Sequence, residues 1–386
     1  MLDSLSPENI GGLYGRSGSL TKRLFLRRLG RKGWILLYST VLFIVLLIWA
    51  ARSHVLLGTG DAPWAFSLYA KAPSVPDKVH LAMLFDPVAL LVLFITFATP
   101  FFCVQQVIAI SAFNSMNEAN IRHRRASLKI AELNALVRKV NKAFFIIGTR
   151  TMSIVILLLS FLGSYELNYF IRKNGVLQSW NPSRLPDAKW RSIVYDGWWA
   201  NAESHIGFAV ALVIFGTYLL YHVAKQLAMG LIFSIYARRA LDKGFGVAPN
   251  LSVNIDGYYG LRKLRYFMQW TYVATLLDFF TMLGIIAVWL PFDQFTIFMI
   301  LLIMATNVLT VLYPTTVAIG GSILEKTSYV KYLTGLNHNS RKERDELVEK
   351  SWTVANLPFR LRSTLTGVTL YFLVPVVLAI VAALLK

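Results

Sequence analysis

"HIGFAVALVIFGTYLLYHVAKQLAMGLIFSIY", residues 205–236, holds a single charged side chain, Lys225, and no proline. A helix needs about 20 predominantly apolar residues to cross the hydrocarbon core of a bilayer. This run is half as long again, so it reads as a membrane helix with a projecting end. Alternation of apolar and polar residues, the mark of a half-buried strand, is absent from it.

The rest of the chain agrees. Of 386 residues, 56 % are hydrophobic and 15 % charged, and the mean hydropathy is +0.54. Soluble domains carry about 25 % charged residues. Apolar runs occur at about 34–51, 82–112, 143–170, 205–236, 267–290, 295–323 and 366–385. The fold class expected is an all-α polytopic membrane protein with about seven transmembrane helices and helical cytoplasmic extensions. The first run follows a long basic leader, and no small-residue cleavage site succeeds it. It reads as a first span rather than a signal peptide. Long spans would tilt, kink at Pro87, Pro100 and Pro314, or project beyond the membrane.

Charge sets the orientation. Segments 1–33, 113–142, 237–266 and 324–365 hold 28 of the 39 basic residues, while the alternate side holds 9. The positive-inside rule therefore predicts a cytoplasmic N-terminus, and an odd number of spans puts Lys386 outside. The organisation expected is a basic cytoplasmic leader, 1–33, and a seven-helix membrane domain, 34–386. Its cytoplasmic helical layer comprises about 113–142, 237–266 and 324–365. Leu128, Leu133, Leu136 and Val140 recur at helical steps, and Ser340 with Glu343 forms a capping-box pattern. The outside segments carry Trp64, Trp180, Trp190, Trp198 and Trp199, expected at the headgroup level of the outer interface. No internal repeat stands out. The location expected is the inner (plasma) membrane.

Catalytic motifs are missing. The chain contains no Walker A sequence, no G-x-S-x-G and no H-E-x-x-H, and its six histidines are scattered. The lone Cys103 forms no intramolecular disulfide and no thiolate zinc site. The reading is therefore of a non-enzyme with no cofactor and no metal. Ionisable residues in spans are costly and mark pathways or pairs. Asp278 lies deep in span 5, with Asn307 of span 6 as a polar neighbour, and Asp86 lies near the start of span 2. Arg150, Glu166, His222 and Lys225 fall nearer span ends, where snorkelling or interhelical pairing is expected.

Two further stretches suggest function. In "TGVTLYFLVPVVLAIVAALLK" (366–386), Thr366, Thr369, Leu373, Val376 and Ile380 share one helical face, so a ring of such helices would form an apolar constriction able to gate by dewetting. Ordinary bundle packing also suits so many small and β-branched residues. In "NIDGYYGLRKLRYFMQW" (254–270), Tyr258 and Tyr259 neighbour Arg262, Lys263 and Arg265. Basic groups with aromatic faces suit a nucleotide or oligonucleotide ligand. The same residues also suit a collar facing anionic lipid.

Seven spans, an inside N-terminus and a distinct last helix, with Thr369-Leu370-Tyr371-Phe372 in it, resemble the insect gustatory and odorant receptor channels. That resemblance implies a tetramer whose seventh helices line the pore. The basic, aromatic cytoplasmic face also looks like that of bacterial antiphage channel effectors of the Hailong type. There a partner nucleotidyltransferase supplies oligonucleotides that hold the channel closed. Asp256-Gly257-Tyr258-Tyr259-Gly260-Leu261 resembles an Asp-Gly-x-x-Gly-Leu motif of bacterial multi-pass proteins. The function expected is a homo-oligomeric ligand-gated ion channel in the lipid bilayer that depolarises the membrane in defence. The alternatives are a secondary transporter using Asp278 or a membrane scaffold for a partner enzyme.

Overall fold

A computed structural model of the chain describes residues 30–57, 81–86, 130–176 and 186–243, with isolated helical positions between 320 and 349. Among the described residues the chain is helical, joined by turns, with one isolated parallel bridge between Leu81 and Trp198. The helices are α1 (Gly30–Arg52), α2 (Ile130–Gly148), α3 (Arg150–Asn174), α4 (Asp187–Val194) and α5 (Ile206–Asp242), with a 3-10 turn at Met83–Phe85 between α1 and α2. Further along, Arg341, Lys342, Asp345, Glu346, Val348 and Glu349 are helical, while Ser340 and Glu343 of the expected capping box lie outside the described residues.

The antiparallel pair α3–α5 organises the described fold. α5 has 37 residues, about 55 Å at 1.5 Å per residue. α3 lies along its first two thirds, and α2 packs beside its far end. On α2, Leu133, Leu136, Val137 and Val140 are buried, while Arg138, Lys139 and Lys142 stay exposed. Lys243 reaches Glu132 across this contact at 3.5 Å. Both partners are about half exposed, so the pair contributes ~1 kcal/mol or less. α3 and the stretch Ile206–Ala240 are each long and apolar enough to cross a membrane.

The sequence reading of 143–170 as one span needs correction. Thr149 is extended (φ −62°, ψ 152°) and divides the run into the end of α2 and the start of α3. Its hydroxyl donates to the Ile146 carbonyl at 2.7 Å and accepts from the Met152 amide at 3.2 Å. One side chain thus serves both broken helix ends, the role N-cap threonines play.

The cap end of the pair, where α3 stops and α5 begins, carries most of the aromatic core. Gly175 ends α3 at φ +87°, and an added Cβ there would lie 3.2 Å from the Cα of Arg191 on α4. Left-handed backbone and close approach both call for glycine. α1 arrives at the same end: Trp49 stacks on Phe208 at 4.3 Å, and Leu46, Ala50 and Val55 join the cap cluster. α1 finishes with His54 at φ 58°, while the Val55 amide donates to Ala50 and the His54 amide to Ala51. That is a Schellman ending with histidine where glycine is usual.

Residues 82–86, expected to open span 2, instead form the 3-10 turn and its extended flanks. Backbone hydrogen bonds from Met83 to Val55 and from Leu84 to Leu56, with the preceding Leu81 bonded to Gly197, hold them out of a helix. Trp190, Trp198 and Trp199, expected at the lipid headgroups, are 0 %, 2 % and 2 % exposed inside the cap. Their indole N–H groups find protein acceptors there, which lets the rings pack against protein rather than water or lipid.

Candidate functional site

Along the middle of the α3–α5 pair, α3 has an inverted polarity. Ser160 and Ser164 of α3 are buried, as are Thr217, His222 and Lys225 of α5 together with the apolar Phe208, Leu212, Leu219 and Val223. Facing outward are Leu157, Leu158, Leu159, Phe161 and Leu162 of α3, with Val210 and Ile214 of α5. Helix pairs in water bury an apolar stripe and expose charge. Membrane helices instead associate through small and hydroxyl residues, because lipid already solvates leucine.

Closest packing occurs where Gly216 meets Ser164. The Ser164 hydroxyl donates to the Val213 carbonyl at 3.0 Å, and the Thr217 hydroxyl donates to the same oxygen at 2.6 Å. Lys225 lies 19 positions from Ile206, about 29 Å along α5. It is 3 % exposed, its Nζ donates to the Ser153 hydroxyl of α3 at 2.9 Å, and it sits 4.8 Å above the Tyr221 ring. One turn away His222 is 1 % exposed, edge-on to Tyr218 at 4.6 Å and to Tyr221 at 5.3 Å. Tyr218, Tyr221, His222 and Lys225 follow the i, i+3, i+4, i+7 pattern of a single helix face.

Lys225 is therefore an interhelical partner and not a snorkelling cation, one of the two outcomes expected for it. Arg150 and Glu166 are exposed. The seam can hold a cation and an imidazole away from bulk water, next to hydroxyls and π faces. Among the described residues no group of three or more His, Cys, Asp or Glu is arranged to hold a metal.

The cap supplies a second polar centre. Asp86 is fully buried, and its Oδ2 accepts from Trp198 Nε1 at 2.7 Å and from Trp199 Nε1 at 2.5 Å. Trp190 Nε1 donates to the Val176 carbonyl at 3.0 Å. The Asn201 side chain donates to the Tyr195 carbonyl at 3.0 Å, and the Tyr195 hydroxyl accepts from the Ala202 amide at 3.1 Å. At the cap surface Glu203 accepts from Arg191 at 3.0 Å and lies 3.7 Å from Arg172.

Burial pushes the Tyr195 phenol up from its ordinary 10.0, against the Ala202 hydrogen bond and the neighbouring arginines, which act to lower it. The folded cap then binds that proton more tightly than the unfolded chain. This stabilisation is complete below about pH 10 and is lost as pH rises through the raised folded value. Comparing the unfolding of the native chain and Tyr195→Phe as pH is raised above 10 should show an alkaline decline that the variant lacks. Parallel profiles would contradict it.

The candidate pore residues Thr366, Thr369, Leu373, Val376 and Ile380 lie outside the described residues. So do the candidate ligand residues Tyr258, Tyr259, Arg262, Lys263 and Arg265, and the polar pair Asp278 and Asn307. The His222–Lys225 face was present in the sequence as a helical pattern, but its partner Ser153, 72 positions away, was not. Asp86 with its two tryptophans, more than 110 positions apart, left no local signal. No family model, curated protein or solved structure matches the chain.

Proposed function

We propose that this chain is an inner-membrane protein of about seven spans, cytoplasmic at its N-terminus and outside at its C-terminus. It assembles with itself as a tetramer and conducts ions through an axis lined by the last helix. The observation that supports membrane residence is α3, whose Ser160 and Ser164 are buried while Leu157, Leu158, Leu159, Phe161 and Leu162 are exposed, with Lys225 of α5 buried against Ser153. In water that arrangement would expose a large apolar face and desolvate a cation. In lipid it is the stable one. An intramembrane ionisable pair further favours transport over a purely structural role.

The gate in this reading answers to an anionic nucleotide or oligonucleotide on the cytoplasmic face, supplied by a partner nucleotidyltransferase, and opening depolarises the membrane as an antiphage response. The excess of basic residues in the segments assigned to that face supports this choice of ligand. A second reading, secondary transport, is favoured by the buried Lys225–His222 pair, with Asp278 as a further ionisable group in a span.

Single-channel recording of the purified chain in planar bilayers tests these readings. Discrete conductance steps that respond to added oligonucleotide are the expected result. Substrate-coupled ion flux without unitary steps would favour the transporter, and neither signal would leave a scaffold. Arg262→Ala and Lys263→Ala should each weaken oligonucleotide binding. Each lost phosphate contact should also lower the salt slope by about 0.7. Unchanged binding in both variants would remove that ligand site.

A further inference from the structure

Residues 81–86 lie across the cap end and bond to both of its halves. Toward α1, the Met83 amide donates to the Val55 carbonyl at 2.9 Å and the Leu84 amide to Leu56 at 3.1 Å. Toward the turn before α5, the Leu81 amide donates to Gly197 at 2.9 Å, and the Trp199 amide donates back to Leu81 at 3.0 Å. The segment ends on Asp86, whose single oxygen gathers the indoles of Trp198 and Trp199. Leu81 and Met83 are fully buried beside it.

We propose that 81–86 is a strap that locks α1 to the α3–α5 pair at the cap end, with Asp86 as its fastening. Three features carry this. Among the described residues α1 meets α5 through side chains alone: the Trp49–Phe208 stack, the approach of Trp49 to Gly207, and Leu46 and Ala50 in the shared apolar cluster. The strap adds backbone hydrogen bonds on both flanks, so α1 and the α5 approach cannot separate without breaking one set. Its carboxylate oxygen uses both lone-pair directions on indoles that are donor-only, and such charge-assisted bonds are the stronger kind. The cap is thereby the fixed end of the bundle, and a conformational change in α1 pivots about it. The proposal does not depend on what the helices conduct.

Electron–electron distance measurement on the full chain reconstituted in lipid tests the strap, with Cys103→Ser as background. One label pair, at Arg52→Cys and Lys189→Cys, reports α1 against the cap; both positions are exposed. A second pair, at Arg150→Cys and Arg239→Cys, also exposed, reports α3 against α5. The native cap should give a narrow distribution for the first pair. Asp86→Leu should broaden it and leave the second pair narrow. Trp198→Phe with Trp199→Phe keeps the carboxylate and removes both donors, so it should broaden the first pair as well. That double variant decides the matter if Asp86→Leu does not fold. An unchanged first pair would overturn the proposal, and so would equal broadening of both pairs, which would make Asp86 a general core residue.

Discussion

Trp190→Ala is expected to lower stability by about 3–5 kcal/mol, the usual cost of truncating a fully buried large aromatic. Trp190 is 0 % exposed, packs among Ile171, Val176, Ile193 and Val194, and donates its indole N–H to Val176. Truncation opens a cavity and leaves the buried Val176 carbonyl without its donor, and those losses add. Trp190→Phe separates them: it keeps most of the ring volume, removes the donor, and should cost about 1–3 kcal/mol. Detergent-induced unfolding followed by tryptophan fluorescence measures both. A loss under about 1 kcal/mol for the alanine variant would mean that the cap relaxes around the hole, contrary to its tight assembly.

Gly216→Leu is the second large effect, expected at about 1–3 kcal/mol or more, because overpacking forces backbone shifts. A Cβ at Gly216 would collide with the Ser164 hydroxyl and lie 3.2 Å from its Cβ. The hydroxyl cannot swing away without losing its bond to Val213. Gly230, on the same helix, has nothing within 4 Å of an added Cβ. Gly230→Ala should therefore be neutral or stabilising by up to ~1 kcal/mol, from helix propensity alone. Opposite signs at two glycines of one helix, read in the same unfolding experiment, would establish that close approach of α3 and α5 sets the seam. Equal effects would contradict it.

Several features were legible in the sequence because their causes are local. The 205–236 run and most of the 143–170 run are helical, as expected of long, mostly apolar stretches without proline, which satisfy their backbone only that way in an apolar medium. The helical recurrence of Leu128, Leu133, Leu136 and Val140 matches the helix found from Ile130 onward, and the last three are buried, while Leu128 lies outside the described residues. The division at Thr149 was less visible. A Gly-Thr pair is only a weak helix breaker until a capping geometry is seen.

The tryptophans show where such reading stops. Trp190, Trp198 and Trp199 were expected at the headgroup level on residue preference, and the sequence did not show that the structure packs their rings into protein. The preference is real, but it reflects a ring that wants an apolar body and a hydrogen-bonded tip. Val176 and Asp86 supply those tip acceptors from distant positions. Lys225 had two open fates, snorkelling or pairing, and Ser153 decided between them.

By itself, then, the sequence determined helix, apolarity and charge asymmetry, because each follows from neighbours along the chain within a few turns. The tertiary structure alone decided which polar groups meet: Lys225 with Ser153, Asp86 with two indoles, Gly216 with Ser164. These pairings depend on how two helices and a strap approach across long sequence separations. A buried polar group has no preferred address until its partner is in place.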